Sequence, residues 1–234
     1  MFGSNYADGG ILNYRSASEV NQAMGRVYGY MGLAVIISML VSMFVGTNTE
    51  LVQFFFTGIM HWVVVFAPLV AVFLLVPFMN SDPPKSLAVL ALSGFASLMG
   101  LSFAVIFAVY TAMSIFNAFM GAAVLFGTMS FYGYFTKRDL TSLGQFMFVG
   151  LIAIVIASII NIFVGSTLMQ MVISAIAIII FLGLTAYDTQ QIREMVSVDS
   201  SPAVEVMGAL TLYLDFINLF LNLLQLFGIS KSND

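Results

Sequence analysis

Seven apolar runs, each long enough to cross a bilayer, constrain this chain more than any other feature. A membrane-spanning helix needs about 20 apolar residues at about 1.5 Å rise per residue. The runs fall at 26–46, 57–79, 87–109, 113–135, 144–165, 168–188 and 203–227. Of the 234 residues only 8% are charged and 61% are hydrophobic, whereas a soluble protein carries about 25% charged residues. The material for a charged, water-facing coat is missing. The runs are also far longer than the strands of an outer-membrane barrel. The expected fold class is an all-α integral membrane protein with seven transmembrane helices.

The separators have loop chemistry. Asn80-Ser81-Asp82-Pro83-Pro84-Lys85 breaks a helix, Thr136-Lys137-Arg138-Asp139 is a charged turn, and Arg193 to Pro202 reads as a loop. The chain divides into a tail at 1–24, a seven-helix domain at 25–228 and a tail at 229–234. The amino-terminal tail carries Asp8, Arg15 and Glu19. It has neither the basic start nor the small-residue cleavage site of a signal peptide, so the first span reads as a retained anchor. With the amino terminus in the cytoplasm and seven crossings, Arg15, Arg26, Lys85, Lys137, Arg138 and Arg193 fall inside and only Lys231 falls outside. The positive-inside rule favours that orientation and puts the carboxyl terminus outside.

Several functional classes are disfavoured. A net charge of −4 argues against nucleic acid as a partner. With no cysteine there is no disulfide or thiol chemistry, and His61 alone cannot build a His-rich metal site. No zinc-protease, phosphate-loop or serine-hydrolase motif occurs, so no enzymatic activity is expected. Tyr187-Asp188 matches half of an intramembrane aspartyl protease pattern, but the residues before Asp215 lack the glycines of the other half.

Within the last run, Thr211, Asp215, Asn218, Asn222 and Gln225 recur at helical spacing and stack along one face. Asp215 sits at hydrocarbon depth, where an ionisable residue costs about 2.5–3.5 kcal/mol on insertion scales. Such residues face a bundle interior or a wet cavity and mark ion or proton paths. Asp188 closes the preceding run, and the two spans are sequence neighbours expected to pack antiparallel. Asp215 lies about 18 Å into its helix, so the two acids meet only if the helices tilt or the sixth span runs further. Two carboxylates in one low-dielectric site do not readily both ionise, and the pair titrates as a unit. Protonated, the pair can hold its helices together. Ionised, it repels and offers hard oxygen ligands to a divalent cation such as Ca²⁺. The Asn and Gln side chains extend an oxygen-lined route, or bind neighbouring helices. Elsewhere, Gly25, Gly29 and Gly32 on the first span, and Ser93, Ser97, Gly100 and Ala104 on the third, form small-residue faces that suit helix packing. Pro68 is expected to kink the second span.

Ala186-Tyr187-Asp188-Thr189-Gln190-Gln191-Ile192 and Leu212-Tyr213-Leu214-Asp215-Phe216-Ile217-Asn218-Leu219-Phe220-Leu221-Asn222-Leu223-Leu224 resemble the two signature segments of the Bax inhibitor-1 family, the transmembrane Bax inhibitor motif proteins. The resemblance covers nearly the whole chain. It implies six helices around a central seventh and a pH-sensitive calcium leak closed by proton sharing between Asp188 and Asp215. One departure stands out. Some family members place an arginine at the end of the second span, where Val76 to Asp82 has none and Lys85 is the nearest cation. The cysteine-free composition and compact loops suit a bacterial inner-membrane member, and the family's cell-death role is not carried over.

The leading expectation is therefore a Ca²⁺-permeable leak. Asp188 and Asp215 would serve as pH sensor, gate and transient Ca²⁺ ligands, with Thr211, Asn218, Asn222 and Gln225 along the path. No resident cofactor is expected, and the partners are lipid, Ca²⁺ and H⁺. The rival expectation is a regulator that binds other membrane proteins, such as a protease or stress-response partner. A proton-coupled transporter would need a substrate pocket, of which the sequence gives no sign.

Overall fold

The structure, a computed structural model, describes residues 15–231. Most of the amino-terminal tail, with Asp8, and the last three residues lie outside that range. The chain forms helices α1 (Ala17–Gly46), α2 (Thr49–Phe56), α3 (Gly58–Asn80), α4 (Lys85–Ser102), α5 (Ala104–Val109), α6 (Ala112–Phe135), α7 (Thr141–Val164), α8 (Thr167–Val198) and α9 (Pro202–Phe227). Among the described residues there is no β-strand, only an isolated bridge between Tyr110 and Ser230. Seven segments are long and apolar enough to cross a membrane, the third made of α4 and α5 in succession. The protein is an all-α membrane protein.

Three boundaries differ from the sequence expectation, each for a local reason. α1 starts at Ala17, well before the apolar run, because Ser16 and Glu19 form a capping box: Glu19 Oε2 accepts from Ser16 N at 2.8 Å and Ser16 Oγ accepts from Glu19 N at 3.4 Å. α2 is an additional short helix, started by Asn48, whose Oδ1 accepts from Glu50 N and Leu51 N. α8 runs on through the polar residues after Asp188 to Val198. Those polar side chains are satisfied by the α6–α7 turn. Gln190 Nε2 donates to Arg138 O at 2.9 Å, and Gln190 Oε1 accepts from Leu140 N at 2.9 Å. Arg193 donates to Tyr134 O at 3.1 Å, with its guanidinium 5.1 Å from the Tyr134 ring. The expected loop from Arg193 to Pro202 shrinks to residues 199–201. α9 begins as expected, with Ser201 Oγ accepting from Val204 N and Pro202 in the first turn.

α9 is the most buried span and α7 the least. Around α9 stand α1, α3, α4, α6 and α8. α7 packs against α8 alone and does not reach α9, so five of the other six spans, not all six, adjoin the carboxyl-terminal helix. The surface of α7 explains its place: Phe146, Phe148, Ile152, Ile156 and Phe163 are exposed, as suits contact with lipid tails.

Small residues set the close approaches. A Cβ on Gly133 of α6 would collide with the Ala186 backbone of α8, and one on Gly208 of α9 would lie 2.7 Å from Ile192 Cγ2. Gly100 does pack as expected, since a Cβ there would come 2.6 Å from Ser38 O. Gly25, Gly29 and Gly32 do not: nothing lies within 4 Å of a Cβ built on any of them. Their spacing marks the outward face of α1, while Ala23, Val27, Ala34 and Ser38 turn inward. Pro68 lies inside an unbroken α3. It has no N–H to offer Val64 O, four residues back, and Ser102 Oγ from the next span donates to that carbonyl at 2.6 Å instead.

Candidate functional site

α8 and α9 are antiparallel neighbours joined by residues 199–201. Ile192 of α8 seats on Gly208 of α9. One turn back along α8 from Ile192 is Asp188, and two turns on along α9 from Gly208 is Asp215. The extension of α8 and the depth of α9 thus bring the two carboxyl groups face to face, close enough to share a hydrogen bond. Asp215 is 4% exposed and Asp188 is half-buried. Among the described residues, Asp215 Oδ2 has no hydrogen-bond partner.

Among the described residues neither acid is paired with a cation. Among the described residues the only ion pair is Arg26 with Glu205. Lys85, the nearest candidate by sequence, lies 5.7 Å over the Tyr30 ring. A buried carboxylate oxygen with neither donor nor counter-ion is costly. A proton shared with the facing carboxyl, or a passing cation, relieves it. No cluster of three or more metal-ligating side chains occurs among the described residues. Two carboxylates alone fall short of the roughly six to eight oxygens that Ca²⁺ takes.

The rest of the polar stripe stays on the half-buried face of α9, with Gln225 at its exposed end. Thr211 donates to Met207 O at 3.2 Å, Asn218 to Leu214 O at 2.8 Å and Asn222 to Asn218 O at 2.8 Å, all within the helix. Gln225 Oε1 accepts from Ser174 Oγ of α8 at 2.8 Å. α3 and α8 both pack against α9. At one end of these contacts lies a cavity of about 370 Å³, bordered by Asn80, Asp82, Met195, Asp199 and Met207. Met207 precedes Thr211 by one turn, and Met195 follows Asp188 by two. The cavity therefore lies about two turns from the acid pair, toward the α8–α9 connection, and neither acid is among its lining residues.

Three further contacts tie neighbouring helices together. Tyr28 Oη, Ser130 Oγ and Thr189 Oγ1 form a hydroxyl chain with spacings of 2.6 and 2.9 Å, linking α1, α6 and α8. Ser38 Oγ and Tyr213 Oη, 2.9 Å apart, tie α1 to α9. Arg26 pairs with Glu205 through both carboxylate oxygens. None of these pairings is visible in the sequence, because their residues are far apart in the chain.

The family model described as "Inhibitor of apoptosis-promoting Bax1" matches residues 20–232. Inner membrane protein YbhL of Escherichia coli K12 is 36% identical over 211 residues, covering 88% of this chain and 90% of its own length. The uncharacterized protein RP147 of Rickettsia prowazekii is 37% identical over 212 residues, 88% of each chain. YrjE of Lactococcus lactis is 33% identical over 235 residues, 97% of this chain and 98% of its own. With the fold, both signature segments and these matches in agreement, the chain belongs to the Bax inhibitor-1 family.

Proposed function

We propose that this protein is a pH-sensitive cation leak of the bacterial inner membrane, permeable to Ca²⁺ and gated by Asp188 and Asp215. The observation that carries the reading is the Asp215 carboxylate: buried, facing a second acid, and, among the described residues, with one oxygen unpartnered and no cation paired to it. When the pair shares a proton, the resulting hydrogen bond holds α8 against α9 and the path is closed. When both ionise they repel. Two unit charges about 4 Å apart at an effective dielectric near 20 repel by about 4 kcal/mol, more than a shared hydrogen bond of about 1.5–3 kcal/mol returns. On full ionisation the closed arrangement loses that bond and gains that repulsion, together about 5.5–7 kcal/mol, the size of swing that inverts a two-state equilibrium. The freed carboxylates then present oxygen ligands to a hard cation. Thr211, Asn218, Asn222 and Gln225 extend the route along α9. Ca²⁺ is cargo in this scheme, with no resident metal or cofactor and no catalytic residue.

Two points support the setting. YbhL is described as an inner membrane protein. Six of the chain's seven basic residues are assigned to one side, so the positive-inside rule puts the amino terminus in the cytoplasm and the carboxyl terminus in the periplasm. The cavity of about 370 Å³ is then the cytoplasmic mouth.

The decisive experiment is Ca²⁺ flux into liposomes holding the purified protein, from about pH 5 to about pH 8, with Asp188→Asn and Asp215→Asn beside wild type. Flux should rise with pH in wild type and lose its pH dependence in both variants. Absence of flux at every pH, or flux indifferent to both aspartates, rejects the leak. A stoichiometric membrane-protein partner recovered alongside such a silent protein would favour the regulator instead.

A further inference from the structure

Glu205 is buried in the first turns of α9, yet Ser201 already caps that helix. Its carboxylate is held by the Arg26 fork of α1: Nε donates to Oε2 at 2.8 Å and Nη2 to Oε1 at 2.5 Å. A two-point Arg–carboxylate bond fixes orientation as well as distance. Arg26 is 37% exposed and Glu205 5%, and a half-exposed ion pair adds little net stability, so geometry is the better account of its presence. On the far side of α9 at this level, Val204 and Met207 border the cavity beside α3. The start of α9 therefore has a firm tie on one side and free volume on the other. Farther along, Tyr213 and Ser38 tie the same two helices, two residues before Asp215.

We propose that Arg26 and Glu205 are positioning residues, a clamp that fixes the cytoplasmic start of α9 against α1 and so sets the resting register of the helix carrying Asp215. This rests on the reading of α9 as the gating helix. Releasing the clamp lets the start of α9 move into the cavity and opens the path at pH values where the acid pair alone would hold it shut.

The chain has no native cysteine, so paired labels need no background removal. Spin labels on Asn80→Cys and Val204→Cys, both facing the cavity, report its width in full-length protein in lipid nanodiscs. Wild type should give one narrow distance distribution. Arg26→Gln and Glu205→Gln should each broaden or shift it, and the charge swap Arg26→Glu with Glu205→Arg should restore it. The double variant Arg26→Gln with Glu205→Gln leaves no unpaired charge, keeps the fold testable if a single variant aggregates, and should also broaden or shift the distribution; an unchanged distribution there overturns the clamp. Unchanged distances in the single variants, or a swap that fails to restore them, overturn the clamp. A flux arm separates the two ideas. Arg26→Gln should raise Ca²⁺ leak about tenfold at pH values where wild type is closed, the effect of losing one charge-assisted hydrogen bond from the closed state. If wild type carries no flux, the leak reading fails while the label distances still decide the clamp.

Discussion

Ser102 donates its hydroxyl to the Val64 carbonyl across the α3–α4 contact at 2.6 Å, supplying the donor that Pro68 cannot. In lipid a bare carbonyl has no water to turn to, so one small polar residue on the next span makes a mid-helix proline tolerable. Ser102→Ala should cost about 1–2 kcal/mol, read as a lower unfolding temperature in detergent. In a Pro68→Ala background, where residue 68 regains its N–H, the same change should cost markedly less. Equal costs in the two backgrounds would show that Ser102 and Pro68 act independently.

The two acids should not respond alike to neutralisation. Asp215 is buried with an unpartnered oxygen, and Asp188 is half-buried. Asp215→Asn should raise thermal stability at alkaline pH, because an amide removes the repulsion between two ionised groups in the less solvated position. Asp188→Asn should give a smaller gain. Thermal unfolding of both variants at about pH 6 and about pH 9 checks this, and equal gains would contradict the difference in burial.

Glycines on α1 and α6 look interchangeable in sequence but not in space. Gly133→Ala should separate α6 from α8 and destabilise by about 1–3 kcal/mol, the usual cost of overpacking. Gly25→Ala and Gly29→Ala, with open space around each, should be neutral or gain up to about 1 kcal/mol from helix propensity. Unfolding temperatures of the three variants, measured together, test the contrast.

Hydrogen bonds from Thr141 hold the Asp139 carboxyl below its ordinary value, including the one from Thr141 N at 2.8 Å. A group whose value is depressed on folding contributes stability that is fully present above its unfolded value, about 3.9. That contribution disappears as pH falls through the lower folded value. The first turn of α7 should therefore loosen in acid, below about pH 4, and stay closed at neutral pH. Hydrogen exchange of the Thr141 amide across that range reads the effect. Asp139→Asn, which keeps an acceptor without the titration, should flatten the pH dependence.

Much of the site is legible in the chain because it is built from sequence neighbours. Asp188 and Asp215 sit on consecutive spans, so antiparallel packing brings them to neighbouring depths once α8 runs on past Asp188 to Val198. Ser201-Pro202 likewise announces the start of α9 from local chemistry alone. What the chain hides is the facing of its helices. In water a helix declares its inner face by apolar periodicity, but in lipid the outer face is apolar too. Gly25 and Gly29 therefore resemble a packing face that they do not form. Gln190 and Arg193 look like loop residues for a related reason: their polarity is answered by the α6–α7 turn, about 50 positions earlier in the chain. Arg26 and Glu205, 179 positions apart, carry no local sign of each other.

Among the described residues α7 meets the bundle along α8 alone, and its other sides carry exposed apolar side chains. A change of membrane thickness or lateral tension that tilts α7 is delivered straight to the helix that holds Asp188, with no second contact to share the load.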